Sequence, residues 1–276
     1  MIPAPFEYQR VEFVDHAIQV LSDHPDAKLL AGGHSLLPLM RLRLARPPML
    51  VDISRIQDLK YIKEDGDHVA IGALTRHHDV ANSEVLHELC PIVSYAAGEI
   101  GDPQVRHVGT IGGSVAHADP ASDLPSVLLA LDAEMVVRGP EGNVRNVPAG
   151  DFFKGLFEPD LATNEVLTEI RVPTSAGRGW SYIKFHRRAQ DWALVGVAAL
   201  AQNGAGPAVA LTNMGDRPLR ATGVEEELAG GADPATAAQR AAEGTSPPTD
   251  AFASGEYRQE LVKVLVRRAL EEAQSR

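Results

Sequence analysis

The sequence predicts an α+β fold, and three observations support that class. Within the first 54 residues a strand, a glycine-rich turn, a helical stretch and a second strand follow one another. Strand-like stretches over residues 180–187, 195–201 and 208–213 are close enough in sequence to form one small sheet. Residues 256–272 have the clearest helical periodicity in the chain, since apolar side chains share one face there.

The opening unit is predicted to contain a helix, a strand, a helix and a strand, over residues 14–24, 27–31, 36–44 and 49–53. Val14, Ile18 and Leu21 share one side of the first helix, and a proline follows its end. Pro38 lies in the first turn of the second helix, where proline is tolerated. The glycine turn between strand and helix therefore lies where turn and helix amides can contact an anion.

The middle of the chain alternates strands with helices. Strands are predicted over residues 68–73, 134–138 and 165–172, and helices over 79–89, 92–100 and from Ser122 or Asp123 to 131. Prolines separate the first two helices and close the last strand, because proline continues neither element. Residues 174–179 form a linker by composition, and the Ala- and Gly-rich stretch 221–250 is predicted to be irregular with short helices.

Composition limits the classes of function. With 276 residues, a hydrophobic share of 44% and no apolar run near the roughly 20 residues of a membrane span, we expect a soluble protein of one large or two moderate domains. The net charge of −11 argues against a nucleic-acid partner. The one cysteine, Cys90, excludes an intrachain disulfide and an iron–sulfur cluster held by this chain alone. No signal peptide is visible, so we expect a cytoplasmic location.

Two glycine segments carry the strongest functional signal. Ala31, Gly32, Gly33, His34 and Ser35 form the first glycine segment, and Thr110, Ile111, Gly112, Gly113 and Ser114 form the second. Glycine permits positive φ and close approach of a ligand, and successive amides can form an anion-binding nest. We therefore expect two turns with free amides that hold the phosphates of one dinucleotide, with FAD as the leading hypothesis. The alternative for the first segment alone is an ordinary tight turn.

Further along the chain, Asp123 and a basic cluster allow two interpretations each. Asp123 could cap a helix, or it could accept a hydrogen bond from a ribose or adenine group. The basic cluster consists of Lys184, His186, Arg187 and Arg188. It is either a solvated strand face or a site that compensates phosphates or contacts another subunit. Trp192 follows closely and could cover a flavin ring.

Three other candidate sites are weaker. No nearby thiolate or His-x-x-Glu pattern accompanies His77, His78 and His87, so we expect no metal site. Cys90 lies in an apolar setting and is interpreted as an inert core thiol rather than a nucleophile. Ser35 has no nucleophile-elbow context, which disfavours a serine hydrolase.

Taken together, these sequence segments resemble those of the medium flavoprotein subunit of molybdenum hydroxylases, the family of the aerobic carbon monoxide dehydrogenases. Leu29–Arg43 with Val51–Ile53 is similar to the first FAD segment of that family. Arg106 with Gly109–Pro125 is similar to the second. Tyr182–Arg188 resembles the basic strand that opens the C-terminal domain of these subunits, so the likeness spans nearly the whole chain.

The resemblance implies a two-subdomain FAD-binding unit of the p-cresol methylhydroxylase (PCMH) type, followed by a C-terminal domain with a small antiparallel sheet and helices. The implied FAD-binding domain covers residues 1–176, with subdomains of about 1–54 and 55–176, and the C-terminal domain covers 177–276.

The resemblance also implies roles for single residues. Both glycine segments would hold the FAD pyrophosphate, and Asp123 matches the family's cofactor-binding aspartate. Leu167 matches a leucine whose backbone lies near the isoalloxazine ring, and Lys184 matches a lysine near the flavin. Two residues depart from the common pattern: Ser114 stands where Asn is frequent, and Trp192 stands where many members have Tyr beside the flavin.

The implied partners are a small chain with two [2Fe–2S] clusters and a large molybdopterin chain, assembled as a dimer of heterotrimers. Electrons would pass from the clusters to the flavin and on to an external acceptor. No acid–base pair is needed in this chain and none is apparent, so no catalytic residue is assigned. Two alternatives stay open, a stand-alone PCMH-type flavin oxidase or dehydrogenase and a non-catalytic scaffold with a degenerate nucleotide site.

Overall fold

The computed structural model describes residues 2–201 and 206–276, which form three parts, each built on its own sheet. The first part contains, in order, β1 Glu7–Arg10, α1 Val14–Asp23, β2 Lys28–Leu30, α2 Leu36–Arg41 and β3 Met49–Asp52. Its three strands are all parallel, in the order β1-β3-β2. Helix α1 buries Val14, Ile18 and Leu21 against this sheet, as its periodicity predicts.

The second part is a five-stranded antiparallel sheet covered by helices, in the order β4-β5-β10-β6-β7. Its long strands are β4 Ile62–Asp65, β5 His68–Gly72, β6 Glu134–Arg138, β7 Val144–Pro148 and β10 Val166–Pro173. Its helices are α3 His77–Ala81, α4 Glu84–Leu89, α5 Pro91–Gly98, α6 Pro103–Arg106, α7 Ile111–His117, α8 Asp123–Ala130 and α9 Ala149–Phe152. The strands β8 Phe153–Gly155 and β9 Glu158–Pro159 form a small separate pair.

The third part is a four-stranded antiparallel sheet in chain order. It contains β11 Trp180–Phe185, β12 Val195–Leu200, β13 Ala208–Thr212, β14 Leu219–Arg220, α10 Thr222–Ala229, α11 Pro234–Ala237 and α12 Gly255–Ser275. Short 3-10 turns complete the fold at Gln57–Leu59, Pro140–Gly142 and Ala238–Arg240. The predicted α+β class and the small antiparallel C-terminal sheet are confirmed.

Helix α8 is the shared wall between the second and third parts. All eight of its residues are buried, and it packs against β12 and β13. Strand β12 is buried on both faces because its side chains alternate between two cores. Ala198 and Leu200 join the core that contains α8, whereas Val195 and Val197 join the core beneath α12.

Two predicted elements differ from the structure. The helix predicted over 79–89 is divided into α3 and α4, because Ser83 begins a new helix by accepting a hydrogen bond from the amide of Leu86. The second glycine segment is the start of α7 rather than an open turn. Thr110 is its N-cap, and the Thr110 hydroxyl oxygen accepts a hydrogen bond from the amide of Gly113 at 3.1 Å.

Among the elements without a predicted counterpart are β1, β4, α6 and β7. They are short and mostly polar, so periodicity is not a guide, and pairing with a neighbouring strand defines the three strands among them. In residues 2–201 and 206–276 no helix is long and apolar enough to cross a membrane.

Gly112 is required by packing in α7, which gives a test of the fold. A Cβ on Gly112 would lie 2.5 Å from the Cβ of Ala73 and 2.6 Å from its carbonyl oxygen. We expect Gly112→Ala to lower the free energy of unfolding by about 1–3 kcal/mol through overpacking. Gly150→Ala is the control, because a Cβ there has open space around it. Denaturant unfolding of both variants measures the difference, and equal midpoints would contradict the packing assignment.

Candidate functional site

A cavity of about 1420 Å³ lies where the three parts of the fold meet. Its wall includes the loop after β2, the first turns of α7 and α8, the start of β10 and the end of β11. Every residue predicted to bind the cofactor lines this cavity except one. The exception is Ile111, whose side chain is fully buried in the core beneath α7. The remaining lining residues of the prediction are Ala31, Gly32, Gly33, His34, Ser35, Thr110, Gly112, Gly113, Ser114, Asp123, Leu167, Lys184 and Trp192.

The first glycine segment has the predicted form of a turn with free donors. It follows β2 directly, and Gly33 has a φ of +75°, a conformation that favours glycine. Within the described parts of the chain, the amides of Gly32, Gly33, His34 and Ser35 donate none of the loop and turn hydrogen bonds. Ser35 makes no side-chain capping bond to α2. This loop therefore offers several amides and one hydroxyl to a ligand.

The second glycine segment corrects the expectation of free amides. The amide of Ile111 donates to the carbonyl of Thr75 at 3.0 Å, and that of Gly112 donates to the carbonyl of Ala73 at 2.9 Å. The amide of Gly113 is engaged with the Thr110 hydroxyl, and that of Ser114 donates to the Thr110 carbonyl at 3.0 Å. The start of α7 uses all four donors. The predicted contacts of this segment with the cofactor stay a prediction.

The two glycine segments are brought together by backbone packing. A Cβ on Gly32 would lie 2.4 Å from the carbonyl oxygen of Val108 and 2.9 Å from the Cα of Gly109. Any side chain at position 32 would therefore push the first segment away from the chain that leads into the second. This glycine is explained by close approach of two backbones, a requirement that is independent of any ligand.

Asp123 lies at the centre of a buried polar network, so the helix-cap interpretation is wrong. Ser122 occupies the N-cap of α8, and the Asp123 carboxylate is 6% exposed. Its Oδ1 accepts a hydrogen bond from the Tyr182 hydroxyl at 2.6 Å, and its Oδ2 pairs with the Lys184 ammonium at 3.0 Å. Lys184 also donates to the carbonyl of Glu99 at 2.9 Å. The network joins α8 to β11 along the cavity wall.

Burial and the neighbouring positive charge act in opposite directions on the pKa of Asp123. Burial raises the pKa of Asp123, and the Lys184 ammonium and the Tyr182 hydroxyl oppose that rise. The pKa of Tyr182 is raised well above its ordinary value, first by burial and then by the adjacent Asp123 carboxylate. Tyr182 therefore stays a hydrogen-bond donor at neutral pH.

The predicted basic cluster does not form one patch. Lys184 is buried in the network with Asp123, whereas Arg187 and Arg188 lie in an exposed loop, 3.9 Å and 3.2 Å from the Asp191 carboxylate. The His186 ring Nδ1 lies 3.2 Å from the carbonyl oxygen of Lys184. Lys184 is therefore a buried partner of a carboxylate, whereas the two arginines are exposed and Arg188 lines the cavity, so their role stays a prediction.

Of two further cavity-lining residues, Trp192 is exposed and Leu167 is buried. Trp192 is 69% exposed. The backbone of the next residue is fixed, because the Asn213 side-chain amide donates to the carbonyl of Ala193 at 2.7 Å. Arg258 is fully buried and donates to the carbonyl of Leu194. Leu167 is buried in β10, where the register with β6 shifts.

His77 is a cavity residue that the sequence did not assign to a ligand. Its side chain is 4% exposed, and its ring Nδ1 is buried without a hydrogen-bond partner among the described residues. Burial lowers the pKa of His77 to about 4, with smaller contributions from His34 and Arg106. Periodicity and spacing gave no signal for this burial, because an unpaired buried nitrogen arises only from tertiary packing.

Cys90 is fully buried, its Sγ donates to the Pro173 carbonyl at 3.4 Å, and burial raises the pKa of its thiol to about 11. These properties confirm the inert core thiol. Within residues 2–201 and 206–276 no group of His, Cys, Asp and Glu could hold a metal ion.

The lining suits a dinucleotide. Free amides and the hydroxyl of Ser35 supply donors for phosphate oxygens. The volume exceeds the range of about 300–1,000 Å³ typical of small-molecule pockets, which fits an elongated ligand.

Comparisons with known proteins agree with this geometry. Residues 4–175 match the family model of the FAD binding domain in molybdopterin dehydrogenase, and residues 180–273 match the CO dehydrogenase flavoprotein C-terminal domain. The chain is 42% identical over 286 residues to the carbon monoxide dehydrogenase medium chain of Hydrogenophaga pseudoflava, covering 100% of this chain and 99% of that one. It is 40% identical over 281 residues to the glyceraldehyde dehydrogenase medium chain of Sulfolobus acidocaldarius, covering 99% of each.

A solved structure extends the comparison to three dimensions. The carbon monoxide dehydrogenase of Hydrogenophaga pseudoflava that lacks the Mo-pyranopterin moiety superposes with a TM-score of 0.95 at 42% sequence identity. The match covers 100% of this chain and 99% of that chain.

The Asp123 network predicts a large difference between two lysine variants. Lys184→Met leaves a buried carboxylate without its cation, so we expect a loss of about 3–5 kcal/mol in the free energy of unfolding. Lys63→Met is the control, because Lys63 is exposed and 4.0 Å from Asp65, and we expect a change within about 0.5 kcal/mol. Denaturant unfolding measures both. The double variant Asp123→Asn/Lys184→Met should lose less than Lys184→Met alone, and strict additivity would contradict the assigned pairing.

The lowered pKa of His77 predicts a pH dependence of stability. The unfolded chain binds a proton at His77 below about pH 6.5 and the folded chain only below about pH 4, so stability falls as the pH drops through this window. The contribution is about 3 kcal/mol for the cofactor-free chain. We expect His77→Gln to flatten this part of the stability curve and His78→Gln to leave it unchanged. Unfolding measured across the window checks this, and parallel curves for wild type and His77→Gln would refute it.

Proposed function

The chain belongs to the family of FAD-binding medium subunits of molybdenum hydroxylases, and we propose that it is the electron-transfer subunit of such a complex. Its cofactor is FAD, and it is a subunit of an oxidoreductase. In the proposed complex it receives electrons from [2Fe–2S] clusters on a small chain and passes them to an external acceptor. A large molybdopterin chain oxidises the substrate, and the assembly is a dimer of heterotrimers. The expected cytoplasmic location stays a prediction.

The observation that carries the proposal is the single cavity that joins the first glycine segment, α8, β10 and β11. When bound, FAD supplies the chemistry of accepting and releasing electrons, and the protein supplies binding, orientation and electrostatics. The free amides from Gly32 to Ser35 would hold phosphate oxygens. Asp123, fixed by Tyr182 and Lys184, retains lone pairs that can accept from a ribose hydroxyl.

The flavin end of the cavity is proposed at Leu167, Lys184 and Trp192. Leu167 would contact the ring through its backbone at the irregular start of β10, and Lys184 would place a buried positive charge nearby. Trp192, at the cavity rim, would cover the ring and limit access of water. These residues position and shield the cofactor, and none of them needs to move a substrate proton.

Two observations support a role as one subunit among several. The only cysteine is buried and unreactive, so iron–sulfur clusters, which take about four thiolates each, have to be supplied by another chain. Relatives of this chain at 42% and 40% identity are medium chains of complexes named for carbon monoxide and for glyceraldehyde. Because similar medium chains occur in complexes named for two such different substrates, we infer that a different chain recognises the substrate.

The experiment that tests the function uses the chain purified from its own host with a tag. We expect a yellow protein with stoichiometric FAD that is reduced by dithionite, is reoxidised by an acceptor, and co-purifies with an iron–sulfur chain and a molybdenum chain. Absorbance, metal analysis and mass spectrometry of the co-purified chains provide the measurements. A colourless protein, or substrate turnover by the isolated chain, would contradict the proposal.

Gly33→Val tests the first glycine segment within this function. Gly33 and Gly66 both have positive φ, of +75° and +68°, so valine strains both positions, but only Gly33 lines the cavity. We expect Gly33→Val to weaken FAD binding by about tenfold or more, equivalent to about 1.4 kcal/mol. Gly66→Val should bind FAD like wild type. Flavin fluorescence titration measures both, and equal affinities would remove this loop from the site.

A further inference from the structure

We propose that the side chains of Asn213 and Arg258, named here the rim anchor, are positioning residues that hold Trp192 over the flavin end of the cavity. The inference rests on the proposed assignment of Trp192 to the flavin, and it adds the groups that keep the indole in place. Neither residue of the rim anchor lines the cavity. Both therefore act through the backbone that follows Trp192.

The indole of Trp192 is not held by contacts of its own. In the described parts of the chain it forms no hydrogen bond and makes no aromatic or cation–π contact. The residues before it form a local turn, in which the amide of Asp191 donates to the carbonyl of Arg188 at 3.1 Å. The position of the indole therefore depends on the backbone that comes after it.

The rim anchor fixes that backbone at two successive carbonyls. The Nδ2 of Asn213 donates to the carbonyl of Ala193 at 2.7 Å and to that of Leu194 at 3.3 Å. The Nη1 of Arg258 donates to the same Leu194 carbonyl, so both lone pairs of this oxygen are engaged. The amide of Leu194 donates to the carbonyl of Phe185 at 2.8 Å, which closes the base of the loop.

Asn213 also connects the rim to the opposite wall of the cavity. Its own amide donates to the carbonyl of Pro120 at 2.8 Å, in the stretch between α7 and α8. Asn213 is buried and has a φ of +61°, a conformation that asparagine adopts more readily than most residues. Such a conformation persists only where the surrounding structure requires it. One residue thus joins the chain that leads into α8 to the backbone beside the indole.

Arg258 connects the same backbone to the start of α12. Its side chain is fully buried, and its Nη2 pairs with the Asp250 carboxylate at 2.7 Å. That carboxylate also accepts from the amides of Phe252 at 2.8 Å and Ala253 at 3.0 Å. The Phe252 ring in turn lies 4.3 Å from the guanidinium of Arg187, in the loop after β11. The stretch before α12 therefore supports the cavity rim from outside.

This arrangement explains how an exposed aromatic residue can keep one position. A functional group is held in place when hydrogen bonds from residues behind it fix its backbone. Losing about one hydrogen bond changes the balance between held and released positions by about fivefold. The rim anchor would thereby set how much of the time the indole covers the flavin.

The first test uses the full chain without cofactor and with Trp180→Phe, so that Trp192 is the one tryptophan left of two. Asn213→Gly keeps a residue that favours positive φ and removes only the side-chain donors. We expect the mobile fraction of the indole, measured by time-resolved fluorescence anisotropy, to rise about fivefold. Glu141→Gly is the control, because Glu141 has a φ of +59° and does not line the cavity. It should leave the anisotropy decay unchanged.

Arg258→Met should raise the mobile fraction of the indole in the same way. Its control is Arg240→Met, because Arg240 pairs with Glu226 and Glu243 away from the cavity and should have no effect. If Arg258→Met does not fold, Asp250→Asn replaces it, since it weakens the hold on the Arg258 side chain and keeps the shape of residue 250. Its effect should be smaller and in the same direction.

The second test uses the chain loaded with FAD and the time-resolved fluorescence of the flavin, which a stacked indole quenches. We expect Asn213→Gly to raise the unquenched fraction about fivefold. Trp192→Phe should remove the quenching, and Asn213→Gly should then add nothing further. This double-variant comparison separates an effect that passes through the indole from a general loosening of the site.

The two tests fail in different ways. Wild-type mobility of the indole in Asn213→Gly would overturn the rim anchor and leave the proposed function intact. An equal gain in flavin fluorescence with and without Trp192 would also overturn it, because the effect would not pass through the indole. If Trp192→Phe leaves the flavin decay unchanged, the assignment of Trp192 in the proposed function is wrong, and the proposal falls with it.

Discussion

The buried contact between the Asp123 carboxylate and the Lys184 ammonium is the constraint on which the cavity depends. It ties the first residue of α8 to β11, and Tyr182 completes it from the same strand. Such a pair is expensive to desolvate, so its strength comes from good geometry and from additional hydrogen bonds. Here the carbonyl of Glu99 and the Tyr182 hydroxyl supply those bonds. The result is a polar wall that fixes how the C-terminal sheet is placed over the FAD-binding part.

Local patterns in the sequence predicted most elements that carry the core. Helix α1 and strands β5 and β12 have strong periodicity or continuous apolar runs, and those signals require no knowledge of the tertiary structure. Strand β1 was not predicted from the sequence, because Glu7–Arg10 is polar and becomes a strand only by pairing with β3, far along the chain. Non-local pairing of this kind leaves no periodic trace.

The functional site also contains features that the sequence predicted and features that it did not. Glycines and a hydroxyl marked the first glycine segment, and the structure has the free amides that this composition predicts. The same composition at residues 110–114 was misleading, because Thr110 can cap a helix as well as flank a turn. The inward position of Lys184 came from resemblance alone, and the isolation of the His77 nitrogen follows from packing that no single-chain pattern contains.

The complete burial of α8 has a consequence for how the gene could be divided. Its residues contact strands that lie beyond residue 176, so a fragment that ends at the implied boundary would leave one side of an apolar helix in water. Two sequence families thus meet in one hydrophobic interior. Separating the two halves at this junction would therefore expose apolar surface on both of them.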